Sequence, residues 1–368
     1  MSAFFYSLYY KFFALFASVL MLISPSFRTA MDRIETDKQY QLTHIEELKA
    51  SYADGSRAKC DESAIFSGSY SAMLTGGTKL NELTVIGTHN SYQRYSGDGK
   101  THLSCTIETQ NGAPITLSDQ LDAGLRNLEI DIETIVNNGE TSFVCIHSPV
   151  FDMATNCYSF EKALEELAVW SDNNPGHLPV SIIIEPKSVF LPLENMEFFS
   201  LEAAKELDKA VRTVLGDRLL TPGEALGSFD SFKSMREADG WKTVEECLGK
   251  IAVILHPCKV TDDYINIDPT IKTQSMFPMV RAADKDKPYA AFLLINDARQ
   301  LLKNSEKLAA GNYIIRTRAD LSGMYSADTF ASAAASAANI ISTDYPYLGT
   351  DTKNTVSFDG FKMVKTIF

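Results

Sequence analysis

The sequence predicts an α/β fold, a closed (β/α)8 TIM barrel, and three observations point to it. Short apolar, β-branched runs recur from Leu80 onward, at 83–88, 126–132, 142–147, 179–185, 250–255, 290–296, 312–317 and 339–343. Amphipathic stretches of helical period lie between several of them, at 160–173, 201–215, 298–310 and 327–338. Strands alternating with helices argue for βα units around a parallel sheet. Eight such strands over ~260 residues is the size of a closed eight-fold barrel. A doubly wound open sheet is the competing architecture, but no Gly-rich dinucleotide or phosphate loop follows the first strand.

Ahead of the barrel, an apolar stretch at residues 12–23 follows Lys11 and leads through Ser24 and Pro25 to Ala30. It is short for a spanning helix, which needs about 20 apolar residues, and reads as a secretory signal peptide over residues 1–30, with an uncleaved signal anchor as the variant. The expected location is therefore secreted or within the secretory pathway, or held to a membrane through that segment. Residues 31–79 are polar, with Ser, Gly and Asp clusters and one short helix expected near 44–50, and read as a lead-in packed on the barrel. The catalytic barrel is placed at 80–350 and a C-terminal tail at 351–368.

Across 368 residues the formal net charge is −13 and no Lys/Arg-rich run appears, which argues against nucleic acid as a partner. No obligate protein partner is evident. The six cysteines, at positions 60, 105, 145, 157, 247 and 258, suit disulfides in an exported protein. Cys145 with Cys157 and Cys247 with Cys258 are the first pairings to try, and free buried cysteines are the alternative.

Polar residues cluster where the predicted strands end. His89 and Asn90 follow the first strand, Glu129 and Asp131 lie in the second, His147 closes the third, and Glu185 with Lys187 ends the fourth. In an eight-fold barrel those ends share one face, where catalytic groups gather. Glu129 and Asp131 are two apart and so point to one side of their strand. Burying two like charges beside Leu128, Ile130 and Ile132 demands a cation: either a metal ion, or ion pairs to Arg126 or Lys187. Three carboxylates and an asparagine oxygen suit a hard ion such as Ca2+ or Mg2+ rather than zinc. The two histidines are then available for proton transfer. Arg316 and Arg318 share a strand face and are candidate phosphate contacts, as is Lys187, and Tyr345 is a candidate to stack on a ring. His102 and His177 sit in loop contexts and are expected to be solvated, as is His44.

The segments Gly87-Thr88-His89-Asn90-Ser91, Glu129-Ile130-Asp131, Ile146-His147-Ser148 and Ile184-Glu185-Pro186-Lys187 resemble the catalytic X region of phosphatidylinositol-specific phospholipases C. Tyr313 to Asp320 and Ser342-Thr343-Asp344-Tyr345-Pro346 are similar to the Ca2+-dependent single-domain branch of that family. The resemblance runs in order from about residue 80 to 347.

It implies a phosphodiesterase that cleaves phosphatidylinositol or glycosyl-phosphatidylinositol-type lipids, at a membrane surface, to diacylglycerol and a cyclic or open inositol phosphate. By the same resemblance, His89 stabilises charge on the phosphate and His147 protonates the leaving oxygen. Asn90, Glu129, Asp131 and Glu185 hold one Ca2+ per active site. Glu129 is also the candidate general base, and Lys187, Arg316, Arg318 and Tyr345 the candidate substrate contacts. A related glycerophosphodiester or sphingolipid phosphodiesterase, or an inactive lipid- or glycan-binding barrel, are the alternatives. The apolar residues 189–193, with Met196, Phe198 and Phe199, follow the Glu185 strand and are candidates to enter a bilayer.

Overall fold

The computed structural model describes residues 25–93, 115–149, 153–187, 195–320, 324–348 and 354–367, with side chains from residue 34 onward. In chain order the strands are β1 (Phe66–Ser67), β2 (Leu83–Thr88), β3 (Asn127–Asn137), β4 (Glu140–Val144), β5 (Val180–Pro186), β6 (Met196–Glu197), β7 (Ile251–Leu255), β8 (Met276–Arg281), β9 (Phe292–Leu294), β10 (Ile314–Arg318), β11 (Ile340–Thr343) and β12 (Val364–Thr366). β2, β3, β5, β7, β8, β9, β10 and β11 each pair in parallel with the next, and β11 returns to β2, so the wall is a closed eight-stranded barrel. Closure depends on Gly87. A Cβ there would lie 2.5 Å from Asn127 Cβ and 2.6 Å from its carbonyl oxygen, so only glycine lets β2 approach β3 this closely. Nearer its start, β2 pairs instead with β12, antiparallel, and β1 lies beside β12.

Seven of the eight expected wall strands are in the wall; the run at 142–147 is not. It supplies β4, which turns back antiparallel on the far half of β3, with Glu133 opposite Val144. The wall strand missed in its place is β8. Pro278 interrupts its apolar run, and a proline inside a run argues against an inner strand. Here Pro278 sits where β8 changes partners: Met276 to Pro278 pair with β7, and Met279 to Arg281 pair with β9.

Alternation along the strands divides the side chains. Ile130 and Ile132 of β3, Ile182 and Ile184 of β5 and Val253 and Leu255 of β7 are buried beneath the helices Phe160–Asn173 and Leu201–Leu215, against residues such as Leu164, Trp170, Leu207 and Val211. Ser159 and Ser200 cap those helices by accepting from the N–H of Lys162 and Ala203. The stretch expected as one helix at 298–310 divides at Asn304 into Ala298–Lys303 and Ser305–Ala309, and that at 327–338 ends at Ala334.

The N-terminal lead-in differs most from expectation. A single helix runs from Pro25 to Ala53, so the boundary placed at residue 30 falls inside it. Its buried side chains, Ile34, Asp37, Gln41, Ile45 and Leu48, recur at helical spacing, but two are polar, which hides the stripe from a hydrophobicity reading. Gln41 exchanges hydrogen bonds with the Ser159 backbone at 2.8 and 2.9 Å, and His44 pairs with Glu166 at 3.1 Å rather than facing solvent. The expectation of an exported protein held to a membrane by its N-terminus is corrected. Among the described residues no helix is long and apolar enough to cross a membrane, and the apolar stretch 12–23 lies outside them.

The disulfide expectation is also corrected: Cys60, Cys145, Cys157, Cys247 and Cys258 are free thiols, and Cys105 lies outside the described residues. Cys247 and Cys258 flank the whole of β7, whose five residues separate them by roughly 17 Å, far beyond the reach of a disulfide. Cys145 and Cys157 lie side by side in one apolar cluster, unbonded, and burial pushes the Cys145 thiol well above its ordinary range.

His177 is likewise buried rather than solvated, with Nδ1 2.7 Å from the Leu178 carbonyl and Nε2 2.9 Å from Ser171 Oγ. Burial depresses its imidazole to about 4, against an ordinary value of 6.5. Between those values the unfolded chain binds a proton that the folded chain refuses. Its contribution is therefore intact above about pH 6.5 and declines by roughly 3 kcal/mol as pH falls toward 4. In urea unfolding measured from pH 7 to 4.5, His177→Gln should flatten that part of the stability profile, and a profile identical to wild type would contradict the assignment.

Candidate active site

The candidate side chains meet at the C-terminal mouth of the barrel, and strand alternation places them. β3 overshoots the wall: 127–132 pair with β5, while 133–137 continue into the β4 hairpin. Glu129, Asp131 and Glu133 alternate with the buried isoleucines and so share the opposite face, each at most 7% exposed. Across the ladder Asp131 is the register partner of Glu185, and Lys187, two residues further on, returns to the same face. β10 contributes Arg316 and Arg318 from the other side of the mouth.

After β2 the chain turns sharply onto β3. Asn90 takes a left-handed conformation (φ 50°), which asparagine tolerates better than most side chains. Ser91 then fastens the turn: its N–H donates to the Glu129 carbonyl and its Oγ accepts from the Glu129 N–H, both at 2.8 Å. This sets His89 at the rim and Asn90 beneath it, where the Asn90 side-chain amide nitrogen is buried with no hydrogen-bond partner among the described residues. His89 Nδ1 lies 2.8 Å from Asp344 Oδ1, just past β11. The carboxylate fixes the ring and leaves Nε2 as the nitrogen turned away from it. His147 follows β4 by three residues, on the arm of the hairpin that descends back toward the mouth, and is half-buried.

The charges at the mouth are paired within the chain. Arg316 grips Glu129 through two bonds, Nε to Oε1 at 2.7 Å and Nη2 to Oε2 at 2.5 Å, and also reaches Asn296 and Ser342 Oγ. Burial alone would raise the Glu129 carboxyl, yet Arg316 holds it below its ordinary value. Arg318 is gripped by Asp320 and, at 2.7 Å, by Asp344 Oδ2. Lys187 Nζ stands 2.9 Å from Asp131 Oδ2 and 3.1 Å from Glu185 Oε1. Tyr92 OH donates to Asp131 Oδ2 at 2.8 Å. Burial nevertheless raises the Asp131 carboxyl, whereas Lys187 holds Glu185 below its ordinary value against the effect of burial. Among the described residues Glu133 Oε2 is buried without a hydrogen bond, and burial raises the carboxyl to about 8 although Lys187 acts against it. A cavity of ≈ 600 Å³ opens beside Glu185 and Lys187, bounded further by His256, Lys259, Arg281 and Tyr289.

Of the predicted site residues, His89, Asn90, Glu129, Asp131, Glu185, Lys187, Arg316 and Arg318 are brought to this mouth, and His147 descends toward it. Asp131 and Glu185 pair with Lys187, as one of the two expected ion pairs had it, and Glu129 pairs with Arg316. Arg126 pairs instead with Glu62, outside the mouth. Tyr345 packs edge-on against Tyr325, with ring centroids 5.9 Å apart. Glu129, the expected general base, accepts a bond from Arg316 on each of its oxygens. Met196 is buried in β6 against β3 and Phe199 packs on Phe143, so these two serve the core; residues 189–193 lie outside the described residues. Asp344, Asp320 and Glu133 were missed as site residues. Asp344 and Asp320 stood within the quoted motifs, and Glu133 continues the every-second-residue pattern of Glu129 and Asp131.

Asn90 and the carboxylates of Glu129, Asp131 and Glu185 give an oxygen-rich, negatively charged donor set, which fits a hard cation. Among the described residues no three His, Cys, Asp or Glu side chains are gathered closely enough to hold a metal with the arginine and lysine pairs in place.

The family model described as Ca2+-dependent phosphoinositide phospholipase C matches residues 137–366. No curated protein matches the chain in sequence. Among solved structures, it is similar to a calcium-dependent phosphoinositol-specific phospholipase C from the Gram-negative bacterium Pseudomonas sp. The myoinositol complex of that protein shares 17% identity over 83% of this chain and 99% of the other, with a TM-score of 0.58. A Ca2+-dependent phosphatidylinositol-specific phospholipase C from Streptomyces antibioticus shares 20% identity over 73% of this chain and 95% of the other, with a TM-score of 0.54.

The pair across the mouth is the structural test. Arg316→Met strands the buried Glu129 charge and should cost roughly 3–5 kcal/mol in urea unfolding, while adding Glu129→Leu should recover most of the loss. A double variant no more stable than the single one would contradict this account of the mouth.

Proposed function

This chain belongs to the Ca2+-dependent phosphoinositide phospholipase C family and is a phosphodiesterase of that type, and from that premise we propose that it cleaves phosphatidylinositol or a glycosyl-phosphatidylinositol-type lipid at a membrane surface. The products are diacylglycerol and a cyclic inositol phosphate that water then opens. The observation that carries the reading is the 2.8 Å bond from His89 to Asp344 at the barrel mouth. It turns a lone imidazole into an oriented one whose second nitrogen faces the site.

The inositol hydroxyl next to the phosphodiester attacks phosphorus, so the nucleophile is already held within the substrate. Negative charge grows on the non-bridging oxygens, and His89 with Arg318 supports it. Calcium held by Asn90, Glu129, Asp131 and Glu185 would add a Lewis acid beside those oxygens. The hydroxyl proton passes to a carboxylate of the β3 face. Asp131, raised by burial, suits that role better than Glu129, which Arg316 holds down. His147 gives its proton to the departing diacylglycerol oxygen and takes one back from the water that opens the cyclic product. The ≈ 600 Å³ cavity beside Lys187 and Arg281 offers polar walls for the sugar headgroup.

The test is release of diacylglycerol from vesicles containing phosphatidylinositol, with a glycosyl-phosphatidylinositol lipid assayed in parallel. His89→Ala should lower kcat/KM by about a thousandfold, Asp344→Asn by about a hundredfold, and chelation of Ca2+ should suppress wild-type turnover. Turnover by His89→Ala at the wild-type rate would overturn the reading.

A further inference from the structure

One of the chain's own cations stands in the middle of the acidic face. Asp131 and Glu185 are register partners on adjacent strands, and Lys187 continues β5, its N–H donating to the Ile132 carbonyl at 2.9 Å. The backbone is thus held by the barrel wall while the side chain folds back over the pair. Its ammonium group bridges them, 2.9 Å from Asp131 Oδ2 and 3.1 Å from Glu185 Oε1. Two of the four residues assigned above to the metal therefore already share a cation, which offsets one of their two negative charges. The stem is a flexible chain of four methylenes, and the ≈ 600 Å³ cavity that Lys187 helps to line gives the group somewhere to go without moving the strand.

Resting on the calcium reading above, we propose that Lys187 is a tethered counter-cation that competes with the divalent ion for Asp131 and Glu185 and so sets the protein's affinity for it. In the metal-free protein the ammonium holds the two carboxylates together and limits their mutual repulsion. A divalent ion enters only as the ammonium leaves, because two positive charges cannot share the same oxygens at contact distance. The lysine thereby weakens binding relative to the same donors without it, and its release places a positive charge in the cavity next to the substrate.

The test is calorimetric titration of Ca2+ into the full chain, as wild type, Lys187→Met and Lys187→Ala, with circular dichroism to confirm the fold of each. Both variants should bind one Ca2+ about tenfold or more tightly than wild type. Equal or weaker binding by the variants overturns the proposal and leaves the calcium reading standing. No binding by any of the three overturns the calcium reading, and the proposal with it. A second measurement needs no substitution: acylation of Lys187 in the wild-type protein by a succinimidyl ester, read by mass spectrometry, should rise at saturating Ca2+. Labelling unchanged by the ion overturns the proposal.

Discussion

Glu129 and Arg316 come from β3 and β10, strands that are not neighbours in the wall, and join across the mouth through a two-pronged ion pair. Buried charges of this kind are tolerable only together, because either one alone would lack both solvent and partner. The rest of the mouth is arranged around that constraint. Ser91 fastens the turn after β2 to the backbone of Glu129, so the position of His89 is inherited from β3. Ser342, which also contacts Arg316, leads into Asp344, which holds His89 from the other side. The imidazole is thus clamped between two elements that the pair brings into register.

Much of the wall was legible because alternation is a local signal. Glu129-Ile130-Asp131-Ile132-Glu133 states in five residues which side faces helices and which faces the barrel interior. The Gly-Thr-His-Asn stretch announces a strand that ends in chemistry. What escaped was non-local or locally contradictory. Nothing near Arg316 indicates that its partner lies 187 residues earlier. β8 was hidden by Pro278, and the 142–147 run, alternating and apolar like its neighbours, forms a hairpin because β3 outruns the barrel. The length of the helix Pro25–Ala53 is hidden from its sequence because its buried stripe includes Asp37 and Gln41, whose partners lie on distant backbone.

Charge is what the mouth is organised around. Phosphodiester cleavage loads negative charge onto oxygens that must be stabilised without water. Here positive charge is supplied by arginines held in carboxylate grips, and the acidic face opposite keeps one carboxyl, Glu133, protonated at neutral pH by burial. Lys187 is what separates this face from a simple cluster of metal donors.

The most direct measurement of the central claim, that the substrate's own hydroxyl is the nucleophile and that water opens the cyclic product in a second step, is 31P NMR of phosphatidylinositol turnover by the full chain. The account predicts that a cyclic inositol phosphate appears first and the open monophosphate only later, at its expense. Open monophosphate formed from the outset, with no cyclic species accumulating at any enzyme concentration, would contradict it.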